Sequence, residues 1–219
     1  MNKRVLAFDF GASSGRAILA TFDGKKIDLQ EVHRFSNDPV SINGTVYWDI
    51  QRLFFEIKQG MVKAKEFGGF DSIGIDTWGC DVAYFDKDGM LLGLPYCYRD
   101  SHTNGAQNEF FKKMSKKEIY GKTGIQFMDF NTLFQLHTIS RSGSPSLKMA
   151  NKILFIPDAL IYMLTGKDVC EYTIASTGMI LDAAKRDFAF DLTDKLGINK
   201  NLFAPLVQPC NNLGALLPQ

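Results

Sequence analysis

Three apolar stretches at the start of the chain, separated by turns of only a few residues, constrain the fold most strongly. Residues 4–11 (RVLAFDFG) are almost continuously apolar, as expected for a central strand that is covered on both faces. Residues 15–23 (GRAILATFD) resume the pattern at once, and residues 25–35 (KKIDLQEVHRF) follow Asp23-Gly24, which is a hairpin signal. The sequence therefore predicts three successive strands in an antiparallel meander.

A helix is predicted after the meander. Residues 49–67 carry apolar side chains at helical spacing, which form one stripe consisting of Ile50, Leu53, Phe54, Ile57, Met61 and Val62. Asp49 can cap the start of this helix, and Gly68-Gly69 can end it. Gly60 in the middle is mildly unfavourable, so we expect a close packing contact at that position.

Two further extended segments follow the helix. Residues 71–79 (DSIGIDTWG) are typical of a strand, and residues 81–93 (DVAYFDKDGMLLG) of a second hairpin that turns at Asp88-Gly89. Strands, then a helix, then more strands indicate an α/β fold, in which a mixed sheet carries helices on its faces.

The character of the chain changes after about Pro95. Ser115 and Glu118 are spaced for a capping box, and Pro157 and Gly166 are placed to begin and end a short helix. Helices are predicted at residues 99–114, 115–124 and 157–165. A loop and a connecting tail rich in proline and glycine are predicted at residues 141–146 and 202–219.

Charge and composition argue against a nucleic-acid or membrane partner. The formal net charge is +1, and the lysine pairs are scattered among acids (Lys25-Lys26, Lys112-Lys113 and Lys116-Lys117). No apolar run approaches the roughly 18 residues that span a bilayer, and the first residues lack the pattern of a signal peptide. We therefore predict no nucleic acid, no membrane and a cytoplasmic location.

The cysteines and histidines give no sign of a metal centre or a disulfide framework. The four cysteines are far apart and form no Cys-x-x-Cys motif (Cys80, Cys97, Cys170 and Cys210). The three histidines add no metal-ligand spacing (His33, His102 and His137). Free thiols in a reducing compartment are the expected state.

Residues 9–16 (DFGASSGR), between the first two predicted strands, are the first candidate site. Gly11 and Gly15 permit a positive φ and let another group approach the backbone, whose N–H groups can converge on an anion. Arg16 suits a phosphate, and Asp9 is an oxygen ligand for a hard cation. A glycine-containing hairpin with a capping aspartate explains the stretch equally well. It is neither a P-loop nor a dinucleotide fingerprint.

Residues 76–81 (DTWGCD) are the second candidate. A tryptophan beside a glycine and two acids suits a sugar, because the aromatic face stacks on the apolar face of the ring while carboxylates bind hydroxyls. The alternative is that Trp78 is a core residue and that the acids cap turns.

Two weaker candidates lie further along the chain. Arg99 and Asp100 are expected to pair with each other, and His102 is either a general base or simply solvated. A pocket is one possible environment for Phe130, Asn131 and Gln135. The alternative is a helical core stripe of Phe127, Phe130, Leu133, Phe134 and Leu136.

Taken together, these segments resemble one family. From about residue 5 to about residue 181, and in the same order, the chain is similar to the N-terminal half of the FGGY carbohydrate kinases, in the actin/Hsp70/hexokinase superfamily. The most specific motifs are Ala-Ser-Ser-Gly-Arg, Asp-Thr-Trp-Gly-x-Asp and Arg-Asp-Ser-x-Thr-Asn-Gly. The other matching segments are NGTVYWDI, IYGKTGIQFMDFNTLFQL, IPDALIYMLTGK and EYTIAST.

The resemblance implies an enzyme that transfers a phosphoryl group from ATP, with Mg²⁺, to a sugar hydroxyl. The implied fold is a ribonuclease-H-like lobe over residues 1–219, with a core over about 1–95 and a helical insert and further elements over about 96–219. The phosphate loop would be Ala12, Ser13, Ser14, Gly15 and Arg16, and Asp9 would be the acid associated with the metal. The sugar would contact Gly79, with Trp78 and Asp81 as further wall of the pocket.

The implied substrate is the ketose L-rhamnulose, phosphorylated at O1 to L-rhamnulose 1-phosphate, with L-fuculose and D-xylulose as rivals. In the family the general base is an aspartate of the C-terminal lobe, so no catalytic residue is expected here, and none of Asp76, Asp81 and Asp100 replaces it. We therefore expect the chain to need its own C-terminal lobe as a partner and to be inactive without it. The alternative is a non-catalytic, actin-like binding lobe.

Overall fold

The computed structural model describes residues 2–218, which fall into two compact units. Within the described residues, unit 1 comprises residues 2–40 and Asp49–Trp78, and unit 2 comprises Ser41–Trp48 and residues 79–218. The change of character predicted near residue 95 lies inside unit 2. The assignment of the whole chain to a single lobe stays a prediction.

Strands dominate unit 1, whereas most helices belong to unit 2. The strands are β1 (Lys3–Phe10), β2 (Ser14–Phe22), β3 (Ile27–Ser36), β4 (Val40–Ile42), β5 (Thr45–Tyr47), β6 (Ser72–Thr77), β7 (Val82–Phe85), β8 (Lys152–Phe155), β9 (Cys170–Glu171), β10 (Leu181–Asp182), β11 (Asp187–Phe188) and β12 (Leu206–Val207). The helices are α1 (Ile50–Glu66), α2 (Ala106–Phe110), α3 (Lys116–Thr123), α4 (Thr132–Arg141), α5 (Pro145–Met149), α6 (Ile156–Thr165), α7 (Tyr172–Ser176) and α8 (Phe190–Asp194), with 3₁₀ turns at Ser101–Thr103 and Lys200–Leu202. No helix within residues 2–218 is both long enough and apolar enough to cross a membrane.

A four-stranded mixed sheet forms the body of unit 1, in the order β3-β2-β1-β6. β1 pairs antiparallel with β2, and β2 with β3, whereas β1 and β6 are parallel. The predicted meander and the predicted α/β class with a mixed sheet are therefore confirmed. The parallel pair places the carboxyl ends of β1 and β6 at one edge of the sheet, where Asp9 is in register with Asp76.

Helix α1 packs on one face of this sheet. It begins after Asp49 and ends before Gly68-Gly69, as the sequence predicts. Asp49 caps it by accepting a hydrogen bond from the Arg52 N–H at 2.9 Å. A Cβ atom on Gly60 would lie 2.7 Å from the Phe8 ring and 3.0 Å from the Cβ of Ala17. The expected close contact is therefore real: this glycine lets the helix approach β1 and β2.

Unit 2 buries the short antiparallel pair of β7 and β8 and a set of helices around it. Helices α2 and α4 pack together through aromatic rings, with the Phe110 and Phe134 centroids 6.2 Å apart. The capping box of α3 is confirmed, because Ser115 and Glu118 each bond the backbone N–H of the other. The predicted start and end of α6 are confirmed as well, with Pro157 in the first turn and Gly166 as the left-handed cap.

Two predictions for the middle of the chain are wrong in part. Residues 99–114 do not form one helix, because Gly105 adopts a left-handed conformation (φ +81°) between the 3₁₀ turn and α2. Residues 141–146 are not all loop, because Pro145 begins α5 with a ring that already fixes a helical φ.

The predicted second hairpin is only partly formed. Its turn closes as expected, with Asp86 accepting hydrogen bonds at Oδ1 from the N–H groups of Asp88 (2.9 Å) and Met90 (2.8 Å). The returning segment, however, contributes only a bridge between Phe85 and Leu91, and the main partner of β7 is the distant β8.

Candidate functional site

The loop between β1 and β2 opens at a pair of opposite charges. Asp9 and Arg16 are directly opposite in the strand register, and Arg16 donates to Asp9 Oδ2 from Nε at 2.8 Å and from Nη2 at 2.7 Å. Both side chains are nearly half exposed. The residues assigned separately to a metal and to phosphates are thus held side by side, where an incoming anion or cation can exchange with the partner.

The carbonyl groups of this loop are bonded within unit 1. Asn37, a buried residue just after β3, donates from Nδ2 to the Gly11 carbonyl at 2.8 Å and from its backbone N–H to the Ser13 carbonyl at 3.0 Å. Gly11 N–H donates to the Ser14 carbonyl at 2.9 Å. Because these carbonyl oxygens are engaged, they offer less repulsion to an anion at the loop, where Ser13 is exposed.

The two glycines of the loop are explained by steric contacts and not by their backbone conformation. Neither Gly11 nor Gly15 has a positive φ, so neither uses the backbone freedom that a glycine permits. A Cβ on Gly15 would overlap the ring of Phe35 on the neighbouring strand, and one on Gly11 would lie 3.2 Å from the Ser14 carbonyl oxygen. Gly15 is therefore required by packing within the sheet.

The edge where β1 and β6 end fits a magnesium ion. Asp9 and Asp76 are in register there, and the Asp76 side chain is exposed. No group of three or more acidic, histidine or cysteine side chains suited to a metal occurs among the described residues. Mg²⁺ needs no such cage, because it usually keeps several waters and binds one or two carboxylates together with substrate phosphates.

The second candidate is the turn Gly79–Asp81, which belongs to unit 2. A Cβ on Gly79 would lie 2.7 Å from Thr177 Oγ1 and 2.9 Å from Thr177 Cβ, so the missing side chain leaves room for a threonine of this same unit. Cys80 has φ +73°, a conformation that is uncommon for a residue with a side chain. Burial raises the pKa of its thiol to about 11, so the thiol stays protonated and can donate a hydrogen bond.

Asp81 is an internal residue of unit 2. Its side chain is 1% exposed, and it accepts hydrogen bonds from Trp48 Nε1 at 2.6 Å, Gln135 Nε2 at 2.8 Å and the Tyr98 N–H at 3.1 Å. Trp78 belongs to unit 1, just after β6, and is half-buried rather than a core residue. The predicted contacts of Asp81 and Trp78 with a sugar stay predictions.

The predicted pair of Arg99 and Asp100 does not form. Asp100 instead accepts hydrogen bonds from the Val46 N–H at 2.7 Å and from His102 Nδ1 at 3.0 Å, while Arg99 stacks on the Tyr98 ring. His102 is mostly buried rather than solvated, and burial lowers its pKa despite the nearby carboxylate. Its Nε2 makes no hydrogen bond within residues 2–218.

The predicted core stripe is correct only from α4 onward. Leu133, Phe134 and Leu136 are fully buried, whereas Phe127 and Phe130 precede the helix and are half-buried. The polar residues of this segment turn inward: Gln135 bonds Asp81, and Asn131 accepts a hydrogen bond from the Met128 N–H at 2.7 Å.

Comparison with known proteins settles the family. The family described as "FGGY family of carbohydrate kinases, N-terminal domain" matches residues 4–219 of the chain. The chain belongs to the FGGY family of carbohydrate kinases. The resemblance drawn from the motifs is thereby confirmed.

Curated relatives of this FGGY chain are longer than the chain itself. The rhamnulokinase of Bacteroides thetaiotaomicron is 46% identical over 99% of this chain and 45% of that protein. The rhamnulokinase of Oceanobacillus iheyensis is 40% identical over 98% of this chain and 46% of that protein. The chain thus spans about half the length of the curated relatives it matches.

Solved structures of sugar kinases share the fold of this chain. A gluconate kinase from Lactobacillus acidophilus superposes with a TM-score of 0.88 at 19% identity, covering 99% of this chain and 44% of that chain. Plasmodium falciparum glycerol kinase with ADP gives a TM-score of 0.81 at 20% identity, covering 99% and 45%. The predicted α/β fold class is thereby confirmed for this FGGY chain.

Several residues that shape the two candidate sites of this FGGY chain were missed from the sequence. Asn37 holds the loop, and Trp48, Thr132 and Thr177 hold the turn. Trp48 and Thr177 lie in two segments that match the family, NGTVYWDI and EYTIAST. The match marked these residues, but it gave no structural role for them. Asn37 lies in none of the matched segments.

Proposed function

We propose that this chain is the N-terminal lobe of an ATP-dependent kinase that phosphorylates L-rhamnulose at O1, giving L-rhamnulose 1-phosphate. One observation carries the substrate: six curated relatives, 40–46% identical over 96–99% of this chain, are all named rhamnulokinase. The proposal is for the whole protein, of which this chain is about half by the length of its relatives.

The β1–β2 loop would hold the phosphates of ATP. Ser13 and Ser14 are exposed hydroxyl donors, and Arg16 is a charged donor whose planar fork matches phosphate oxygens. The internal bonds from Asn37 keep the loop carbonyls of Gly11 and Ser13 away from the anion. Holding the γ-phosphate in place is the larger part of catalysis in phosphoryl transfer, which relies on positioning and charge stabilisation.

Asp9 would hold Mg²⁺, with Asp76 beside it at the same sheet edge. The bound ion supplies positive charge to the phosphates. Arg16 is paired with the Asp9 carboxylate at 2.7 Å, and it would exchange this partner for a phosphate oxygen if Asp9 held the ion. The half-exposed pair makes this exchange inexpensive, because an ion pair in water contributes about 1 kcal/mol or less.

The sugar would lie against the backbone of Gly79, and the contact of Trp78 with it stays a prediction from the resemblance. Asp81 would support this contact indirectly by holding the turn, since its carboxylate accepts hydrogen bonds from Trp48, Gln135 and the Tyr98 N–H. The general base that accepts the proton of the attacking hydroxyl would be an aspartate of a C-terminal lobe. Asp81 and Asp100 do not suit that role, because their carboxylates already accept several internal hydrogen bonds.

The compartment would be the cytoplasm, where ATP is available and thiols stay reduced. Cys80, Cys97, Cys170 and Cys210 are all free thiols, as expected for a reducing environment. Burial also raises the pKa of Cys97 to about 11, which makes that thiol unreactive at neutral pH.

A coupled kinase assay of the full-length protein tests the proposal. L-rhamnulose, L-fuculose, D-xylulose and glycerol would be compared with ATP and Mg²⁺, and we expect the highest kcat/KM for L-rhamnulose. A higher value for another sugar would replace the substrate while keeping the kinase. Turnover of none of them would favour a non-catalytic binding lobe, and turnover by the isolated chain would contradict the need for a second lobe.

A further inference from the structure

The turn Gly79–Asp81 is held by hydroxyl and amide side chains from two distant segments of unit 2. We name Thr132, Gln135 and Thr177 the turn clamp. We infer that Thr177 is a positioning residue for the substrate: it sets the backbone of Gly79 and Cys80 without touching the sugar itself. The inference rests on the proposed function, because it takes Gly79 as the sugar contact.

Thr177 bonds the turn through both its side chain and its backbone. Thr177 Oγ1 accepts a hydrogen bond from the Cys80 N–H at 3.1 Å, and its hydroxyl donates to the Ile174 carbonyl at 2.7 Å. The Thr177 carbonyl accepts from Cys80 Sγ at 3.4 Å. The hydroxyl proton is thus committed to helix α7, which leaves the oxygen as an acceptor aimed at the turn.

The same side chain fills the space that a larger residue at Gly79 would need. A Cβ there would lie 2.7 Å from Thr177 Oγ1 and 3.1 Å from Thr177 Cγ2. Real Cβ atoms essentially never lie as close as 2.7 Å to another heavy atom. Gly79 is therefore matched in shape to Thr177, and the turn rests directly against it.

The rest of the turn clamp fixes the other side of Cys80. Thr132 donates to the Cys80 carbonyl at 2.6 Å, and Gln135 donates to Asp81 Oδ1 at 2.8 Å. Thr132 is itself pressed against Gly178, where a Cβ would lie 2.7 Å from its Oγ1. The segment that carries Thr177 thus supports both sides of the turn.

The conformation of Cys80 explains why such support is needed. A non-glycine residue with φ +73° is held against its own preference and persists only where surrounding contacts impose it. Release of the Cys80 N–H would let the turn relax and move the backbone of Gly79. A small displacement of a group that positions the substrate is enough to lower the reaction rate markedly.

The test compares two variants of Thr177 in the full-length protein. Thr177→Val keeps the shape and removes both hydrogen bonds of the hydroxyl, of which the one from the Cys80 N–H is the bond to the turn, whereas Thr177→Ser keeps both. We expect Thr177→Val to raise the KM for L-rhamnulose about fivefold to tenfold, the effect of one lost internal hydrogen bond, and to leave the KM for ATP unchanged. Thr177→Ser should restore a KM close to that of the wild type.

A matched control is Thr165→Val. Thr165 has the same pattern at the end of α6: its hydroxyl donates to the Ile161 carbonyl at 2.8 Å and accepts from the Lys167 N–H at 3.2 Å. It takes no part in the turn, so its variant should leave both KM values unchanged. A KM for the sugar that is unchanged in Thr177→Val, or that rises equally with the KM for ATP, would overturn the inference.

A second measurement separates this inference from the proposed function. In a Cys210→Ser background, which removes the exposed thiol, the reaction of Cys80 with a thiol reagent reports on the turn. We expect Thr177→Val to speed this reaction several-fold and Thr165→Val to leave it unchanged. If the wild type phosphorylates no sugar, the proposed function fails. Faster labelling would then still support Thr177 as the residue that holds the turn, and unchanged labelling would refute it.

Discussion

The loop between β1 and β2 and the turn Gly79–Asp81 are built in opposite ways. The loop is exposed, joins two neighbouring strands, and is fixed by the sheet register and by bonds to its carbonyls from Asn37. The turn is largely buried within unit 2 and contains a cysteine with a left-handed backbone conformation. It is fixed by side chains that lie 33 to 97 residues away in the sequence. In the loop the polar side chains face water, whereas in the turn the polar side chains are withdrawn and hydrogen-bonded within unit 2.

The largest effect should come from the buried carboxylate of the turn. Asp81→Asn leaves one acceptor oxygen where Trp48, Gln135 and the Tyr98 N–H now find a carboxylate, and places an amide donor among donors. We expect the free energy of unfolding to fall by about 3 kcal/mol. Urea denaturation measures this, with Asp9→Asn, at the half-exposed pair of the loop, expected to cost about 1 kcal/mol or less. Equal losses for the two variants would break the comparison.

A packing change inside the sheet should have the next largest effect. In Gly15→Ala the new Cβ would overlap the Phe35 ring, so we expect a loss of about 2 kcal/mol in the free energy of unfolding. Gly11→Ala is the control, because the nearest atom to its Cβ would be the Ser14 carbonyl oxygen at 3.2 Å and the site is exposed. Full rescue of Gly15→Ala by Phe35→Leu would support the packing explanation, and no rescue would contradict it.

Loss of Asn37, which holds the loop, should weaken the use of ATP and not the use of the sugar. Asn37→Ala removes the Nδ2 donor to the Gly11 carbonyl, and we expect the KM for ATP to rise about fivefold while the KM for the sugar stays constant. Asn199→Ala, which removes a local bond to the Asn201 N–H in unit 2, is the control. An Asn37 variant with an altered KM for the sugar alone would reverse the assignment of the two regions.

The last test extends the comparison to a second buried acid of unit 2. Burial raises the pKa of Asp158 to about 8, whereas an unfolded aspartate has a pKa of about 3.9. Between these values the folded protein holds a proton that the unfolded chain has released, so stability falls as pH rises from about 4 to about 8. Asp158→Asn should flatten this dependence and raise Tm at about pH 8 relative to the wild type. Parallel Tm profiles for wild type and variant would contradict it.

Local signals made much of the fold predictable. The meander, the cap of α1 at Asp49, the capping box at Ser115 and the close contact at Gly60 each depend on residues near in sequence or on a single steric requirement. The pairing of β7 with β8 joins residues about 70 apart. Nothing in either short apolar stretch identifies its partner, so this pairing was missed.

The candidate sites divide in the same way. The pairing of Asp9 with Arg16 follows from a hairpin register that the meander already implies. The inward direction of Asp81 could not be predicted, because it depends on a tryptophan 33 residues earlier and a glutamine 54 residues later. An aspartate between a cysteine and a valine has no sequence signal that distinguishes a buried anchor from a ligand.

The three passages of the chain between the units, after residues 40, 48 and 78, have a consequence for genetic manipulation. Neither unit is encoded by a contiguous stretch of the gene, so no simple truncation yields either one alone. One protease cut at any passage leaves two covalent connections intact. During synthesis, Trp48 leaves the ribosome well before Gln135, so the hairpin it ends must wait for most of unit 2 before it gains its final environment.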